Sequence, residues 1–328
     1  MTPSTAPITR CIRAYFGPVD RTAGLPTLFD PAQLGRFPLD APPAPWVSLG
    51  SISKFVRISG TKVQPLLGGA PAMAVAQVRT EVDASVSFEF DAWGKLQAAL
   101  ASGSQQTNLL ATAAGAAPNG SGGTAAAPVT VVPEGTTASA LNVGATAAAQ
   151  FAPGTLIAVD LDYTGQTGYV GSGISAAYVS SAASVGSDLN FIRRVTLNVA
   201  VVASVAGGVL QLASPLPAGV PSAGMQISPL VGFCDREGAR FFQEWSALFV
   251  LEGAQGDRVL FHYPRLQPMQ ASAEHGEALI SSTPSVSSAP LERMRLAAAF
   301  RALPVRDPAD SETVLCFRSY LPAPLRTV

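Results

Sequence analysis

The stretch QVRTEVDASVSFEFDAWGKLQAAL, Gln77 to Leu100, changes its hydrophobic period part-way along. From Gln77 to Phe90 the two sides alternate without a break. Val78, Thr80, Val82, Ala84, Val86, Phe88 and Phe90 fall on one side, and Gln77, Arg79, Glu81, Asp83, Ser85, Ser87 and Glu89 on the other. Successive side chains of a strand point to opposite faces, so this reads as one long strand in a fixed register. A slip of one residue would bury every charge. At Asp91 the spacing turns helical, with Trp93, Leu96 and Leu100 at i, i+3 and i+7. Asp91 is placed to cap the first turn and Gly103 to end the helix.

Strand signals continue on both sides of this unit. Upstream, WVSLGSISKFVRISGTKV (Trp46–Val63) nearly alternates, and Gly68-Gly69 marks a turn. Far downstream, WSALFVLEG (Trp245–Gly253) and RVLFHYPRL (Arg258–Leu266) form a hairpin signal turning at Gln255-Gly256-Asp257. Leu291 to Leu303 sets Met294, Leu296, Ala298, Phe300 and Ala302 against Arg293, Arg295 and Arg301, and a last strand runs from Thr313 to Tyr320. Between the two charged halves, no Lys or Arg occurs from Leu96 to Ile192. Residues 111–127 are an Ala/Gly linker with too little side-chain volume for a core. Beyond it, FAPGTLIAVDLDY, RRVTLNVAVVASV and GGVLQLASPL read as short strands of a small sandwich or barrel.

The expected fold is therefore mainly β. Residues 1–45, broken by seven prolines from Pro18 to Pro45, form an arm. Residues 46–110 and 231–328 form one discontinuous β domain with a short packed helix, and residues 128–230 form an inserted uncharged β-sandwich.

Charged residues make up 13% of the 328-residue chain, about half the usual share. A surface with few charges is cheap to dehydrate, which favours burial between subunits. The net charge of −1 offers no basic patch to displace counterions from nucleic acid. No apolar stretch reaches the length of a bilayer span, and the N-terminus lacks the pattern of a signal peptide, so synthesis in the cytoplasm is expected. Cys11, Cys234 and Cys316 lack paired spacing and read as small buried hydrophobes, not as a zinc site or disulfides.

Candidates for chemistry are few. His262, in FHY on a strand, reads as a packed core residue. Glu274-His275-Gly276-Glu277 offers ligand types with no second cluster to complete a metal site. Asp160, Asp162 and Asp188 read as solvated surface, and Gly171-Ser-Gly173 as a turn, since no helix follows to cradle a phosphate. No G-x-S-x-G elbow is present. The expectation is a protein without catalytic residues, cofactor or metal.

At WVSLGSISKF (Trp46–Phe55) and VRTEVDASVSFEFDAWGKLQAALASGSQ (Val78–Gln105) the chain resembles the tail tube proteins of long-tailed bacteriophages. These share a Trp-x-x-Leu-Gly start, a long strand ending in an aromatic-acidic segment, and a helix packed on the sheet. The resemblance implies a tail-tube-like β-sandwich or barrel. It also implies assembly into stacked, usually hexameric rings, and a channel through which DNA passes without specific binding. The partners would be further copies and other tail proteins, with no membrane, and the location the virion tail. The inserted module looks like an outward surface domain of some family members. Under this reading Glu81, Asp83, Ser85 and Ser87 are candidate lumen residues. Tyr15, Phe16, Phe29, Phe55, Arg57, Trp93, Leu96, Arg293 and Arg295 are candidate interface residues. Two other classes fit the composition. One is a virion surface β-sandwich that binds a receptor or carbohydrate through residues 128–230. The other is a hydrolase with a divergent site near His262 or His275.

Overall fold

A computed structural model of the protein describes residues 9–20, 25–43, 45–103, 105–113, 125–161, 169–170, 198–216, 219–236, 244–269, 273–278, 292–307 and 309–324. The chain divides into two compact units. Unit 1 takes Met1–Val19, Gly24–Gly103 and Gln243–Val328, and unit 2 takes Asp20–Ala23 and Ser104–Phe242.

Unit 1 opens with β1 (Thr9–Asp20), β2 (Leu25–Pro26), the one-turn helix α1 (Pro31–Leu34), β3 (Val47–Gly68), β4 (Met73–Phe90) and helix α2 (Lys95–Ser102). Unit 2 follows with β5 (Gln105–Leu110), β6 (Val129–Thr130), β7 (Ala140–Asn142), α3 (Ala145–Ala148) and β8 (Leu156–Leu161). It continues through β9 (Tyr169–Val170), β10 (Val199–Ala206), β11 (Val209–Leu212) and β12 (Met225–Arg236). The chain returns to unit 1 with β13 (Trp245–Gly253), β14 (Arg258–Pro268), β15 (Ala273–Ala278), β16 (Glu292–Ala302), β17 (Val305–Arg306), β18 (Thr313–Val314) and β19 (Phe317–Leu321). The protein is mainly β, and its ladders are antiparallel apart from the short β5–β9 pair.

In unit 1 the sheet runs β15-β16-β4-β3-β1-β13-β14-β19, and β14 also pairs with β16. That extra ladder, Leu266 opposite Ala302 through Pro268 opposite Phe300, closes the circuit β16-β4-β3-β1-β13-β14 into a barrel. Alternation explains the filling. Phe16, Phe88, Phe249 and Phe300 come from four different strands and meet inside, with ring centroids 5.4–6.2 Å apart. The faces of β4 and β16 that carry Ala84, Val86, Phe88, Phe90, Leu296, Ala298, Phe300 and Ala302 are buried there. Met294, grouped with them by its spacing, is 51% exposed near the end of its strand.

β1 is not an arm. It lies between β3 and β13, with Ala14, Tyr15 and Phe16 all at 0% exposure. Three consecutive buried residues show no alternation because both faces of the strand are covered. Phe16 enters the barrel, while Tyr15 joins Phe29, Phe37, Trp46, Leu248, Val250 and Leu260 in a second apolar layer outside it. That layer is roofed by a strap, residues 25–43 and 45–46, starting its one-turn helix at Pro31 under the cap of Asp30, whose carboxylate accepts from the Ala32 amide at 2.8 Å. Polar tethers hold the strap's carbonyls. Arg258 donates to Gly35 O and Phe37 O at 3.1 and 2.8 Å, Tyr15 to Leu39 O at 2.8 Å, and Ser246 to Thr27 O at 2.6 Å.

The helix differs from its expected start. α2 begins at Lys95 behind Gly94, with no side-chain cap. Asp91 is engaged elsewhere, accepting from Arg295 at 3.0 Å, and Trp93 precedes the helix and is 53% exposed. Gly103 does end it, in the left-handed region at φ 62°. Ala98, Leu100 and Ala101 are buried, and the helix lies against β16 and β14 of its own unit.

Unit 2 is a sheet in the order β7-β11-β10-β8-β12-β5-β9, with β6 on β12. Its core gathers Leu141, Ile157, Val159, Val202, Leu210 and Ile227, so the uncharged segment has an apolar core of its own. Asp162, Asp188 and Gly171–Gly173 lie outside the described residues, as do residues 114–124 of the Ala/Gly stretch.

His262 gives unit 1 a pH dependence. Its ring sits beneath the strap, edge-on to Trp46 and stacked on Phe317, with Nε2 3.3 Å from Thr27 O. Burial lowers its pKa from 6.5 to about 4, against a raising effect of the Thr27 carbonyl. The folded state therefore holds fewer protons than the unfolded chain between these values. Its full contribution is present above pH 6.5 and is lost as pH falls toward 4, by up to about 3 kcal/mol. Urea unfolding followed by Trp fluorescence should show a steeper loss of stability between pH 7 and 4.5 in the wild type than in His262→Gln. Parallel curves would show that the imidazole is not the group responsible.

Candidate assembly interface

The hairpin of β3 and β4 outgrows the barrel that anchors it. β1 accompanies β3 only as far as Ser51, and β16 accompanies β4 only between Phe90 and Ser85. Beyond those points, among the described residues, the two strands pair only with each other, from Ile58 opposite Ser85 to Gly68 opposite Met73. At about 3.3 Å per residue, the ten residues from Ser59 to Gly68 carry the ribbon roughly 30 Å past the barrel wall. Its turn is set by Gly69, at φ +91°.

The strand therefore differs from its sequence reading over half its length. The apolar side is covered at Ala84, Val86, Phe88 and Phe90, but Val78 and Val82 are 45% and 55% exposed. Alternation records which face a side chain takes; it does not record whether anything packs there. Nine large apolar residues of the ribbon are at least 45% exposed: Val56, Ile58, Val63, Leu66, Leu67, Met73, Val75, Val78 and Val82. A two-stranded ribbon is marginal by itself in water, and its outer backbone edges are free to pair. Bulges between Ser53 and Val56, Lys62 and Val63, and Leu66 and Leu67 twist it without covering those edges.

The polar side near the barrel is organised by charge pairs within the chain. Glu81 meets Lys62 at 2.5 Å, Asp83 meets Arg301 at 3.2 Å and Glu89 meets Lys54 at 2.7 Å. Ser85 and Ser87 lie between these acids on β4, half-buried, opposite Arg301 and Ala299 of β16. The candidate lumen residues thus share one face. The arginines expected to reach across an interface are engaged at home: Arg293 donates to Asp91 O and Arg295 to the Asp91 carboxylate.

Other candidate contacts divide. Tyr15, Phe16 and Phe29 are core residues of unit 1, at 0%, 0% and 7% exposure, and cannot meet a neighbour without unfolding it. Phe55 is half-buried against Phe249 and Phe261, and Arg57 lies 5.7 Å over the Phe261 ring, so both brace the root of the ribbon. Trp93 remains exposed, and the side chain of Leu96 lies outside the described residues.

One pairing was not foreseen. Ser246 Oγ lies 3.3 Å from His262 Nε2, a spacing met in nucleophile–base pairs. Here both groups face the Thr27 carbonyl beneath the strap, and Ser246 is 0% and His262 4% exposed. A substrate would have no path to them, and the pair serves as a tether. His262 falls directly opposite Leu248 across the β13–β14 hairpin, so the β13 neighbour of the histidine was legible. Thr27, 235 positions away, was not. His275 pairs with Arg295 in the β15–β16 ladder and is exposed. Among the described residues no three His, Cys, Asp or Glu side chains form a metal-binding group, and no helix is long and apolar enough to cross a membrane.

A scan against protein-family models matches no family, and a search of curated proteins finds no similar sequence.

The ribbon's exposure is testable directly. In dilute solution, hydrogen-exchange mass spectrometry should find faster amide exchange across Val56–Val82 than across Ala84–Phe90. Equal protection would show that the ribbon's edges are covered within a single chain.

Proposed function

We propose that this protein is a structural subunit of the tail-tube type, which assembles with its own copies into rings around a channel. The projecting β3–β4 ribbon carries the reading. Its two edges are chemically different strands, and both are free. Pairing β3 with β3 of a second copy, or β4 with β4, would leave the other edge of each ribbon open. Pairing β3 of one copy with β4 of the next uses both edges of every copy, is antiparallel throughout, and closes when the rotation completes a circle.

Such a closed sheet sets the face carrying Glu81, Asp83, Ser85 and Ser87 toward the lumen. Because Lys62 and Arg301 already balance the two acids, the lining carries little unmatched charge with which to hold a passing polyanion. Hexameric rings, a DNA cargo, other tail proteins as partners and a place in the virion tail come from the family resemblance. The low share of charged residues, the exposed apolar ribbon and the sealed Ser246–His262 pair support an assembling role over a catalytic one.

Cysteine cross-linking tests the edge pairing. In a chain with its native cysteines replaced by Ala, one variant carries Thr61→Cys on β3. Partner variants carry Val78→Cys, Thr80→Cys or Val82→Cys on β4. Adjacent strands bring paired Cβ atoms to about 4.5–5.5 Å, close to disulfide reach. Mixtures should give cross-linked dimers under mild oxidation that no single variant gives, and negative-stain images of the unmodified protein should show rings. Cross-links within single-variant samples, or a protein that stays monomeric at high concentration, would overturn the reading.

A further inference from the structure

The strap that roofs unit 1 is held differently at its two ends. Its trailing part, residues 35–40, is clamped by guanidinium groups. Arg258 donates to Gly35 O and Phe37 O at 3.1 and 2.8 Å. Arg13 donates to Leu39 O at 3.3 Å and to the Asp40 carboxylate at 2.5 Å, and Arg36 reaches out of the strap to Gly256 O at 2.6 Å. A guanidinium keeps its charge in proteins, so these three donors do not change with acid.

The leading part, residues 25–29, contains no charged residue. Phe29 packs edge-on to Phe37 and Trp46. Apart from the two-residue β2–β1 pairing, the hydrogen bonds that β13 and β14 send to this part meet at one atom, Thr27 O. It accepts from Ser246 Oγ at 2.6 Å, and His262 Nε2 lies 3.3 Å from both oxygens. A carbonyl can only accept, so the imidazole is the neutral tautomer with its hydrogen on Nε2.

A second proton would go to Nδ1, for which no acceptor is placed among the described residues. The groups facing the ring are Ser246 of β13, Thr27 and Trp46 of the strap, and Phe317 of β19, and none of them titrates near neutral pH. Ionisable groups on the surrounding elements are engaged elsewhere. Tyr15 of β1 donates to Leu39 O, Glu244 of β13 pairs with Arg265 of β14, and Glu252 pairs with Arg258. Asp30 of the strap caps α1, Cys316 interacts with Tyr263 and Arg57, and Arg318 of β19 falls opposite Phe261. An imidazolium at this place would be a buried charge without a counterion, and the fold must either refuse the proton or admit water. Lifting residues 25–29 admits water while breaking none of the ladders that close the barrel.

We propose that Thr27 O, Ser246 and His262 form a proton-released latch. Protonation of His262 frees residues 25–29, which swing about the start of α1, while the arginine clamp holds residues 35–40 and the barrel stays closed. The latch belongs to unit 1 by itself and does not depend on the ring reading. It makes the first response to acid a local opening that precedes global unfolding.

Strand β13 supplies a paired test, because its neighbouring residues face opposite ways. Ser246 lies under the latch and Ala247 faces the barrel, both at 0% exposure. In a chain with its native cysteines replaced by Ala, Ser246→Cys or Ala247→Cys provides a single thiol. Its reaction with dithiodipyridine, a reagent active in acid, is measured relative to the same chain unfolded in urea at the same pH. From pH 7 to pH 5 the relative rate for Ser246→Cys should rise about 20-fold, as follows from a histidine pKa of 6.5 with the latch open and about 4 with it closed. The Ala247→Cys rate should stay flat, and adding His262→Gln should flatten the Ser246→Cys rate as well. A rise in both thiols together would show that acid loosens the whole barrel. A rise that survives His262→Gln would assign the effect to Asp30 or Asp40 of the strap. Either result overturns the latch, as does a Ser246→Cys rate that ignores pH. Because Ser246→Cys weakens one bond of the latch, hydrogen-exchange mass spectrometry of the unmodified chain gives a second reading. Protection lost at pH 5 in residues 25–29 and kept in residues 35–40 supports the latch, and equal loss in both overturns it.

Discussion

The ladder between β14 and β16 fixes where unit 1 has edges. Leu266, Gln267 and Pro268 opposite Ala302, Arg301 and Phe300 turn an open sheet into a closed circuit. Closure satisfies the backbone of the barrel strands and seals Phe16, Phe88, Phe249 and Phe300 from water. Among the described residues of unit 1, what remains unpaired lies on flanking strands and on the ribbon of β3 and β4. The ribbon carries the longest of these free edges.

The same closure accounts for the two layers around β13. Its even residues Ser246, Leu248 and Val250 face the strap while Ala247 and Phe249 face the barrel, and all five are at 0% exposure. The strap could not stay on that surface through apolar contact alone, because its backbone carbonyls would lose water without replacement. Arg258, Tyr15 and Ser246 supply those hydrogen bonds. Arg258 also stacks over Phe37 at 5.7 Å, so one side chain binds the strap by charge and by ring contact.

Much of this was legible in the residues. The β13–β14 hairpin, the strand from Glu292 to Ala302, the glycine that ends α2 and the mainly β character all follow from alternation and turn chemistry. Burial on both faces hid β1, since a strand covered on each side loses its period, and Pro18 with the prolines after it then reads as part of an arm. The start of α2 was misplaced because a distant arginine, Arg295, engages the acid that would have capped it. The faces at the ribbon's base were legible, but its projection was not, nor was the bulge opposite Lys62–Val63 that skips Thr80 and puts Val78 on the other face from Val82. Whether Val78 and Val82 are covered depends on where β16 stops pairing, more than 200 residues later in the chain.

That separation has a consequence for how the protein is made. β3 and β4 emerge early from the ribosome, while β16, against which β4 rests, is translated only after the whole of unit 2. Until then the ribbon has no barrel beneath it, and the contacts that will hold its root are among the most distant in the chain. Non-local pairing of this kind is slow, and it leaves apolar strand edges open during the wait. The insertion of an entire folding unit between the two halves thus acts as a delay: a nascent chain cannot present a rooted ribbon before its own synthesis is nearly finished.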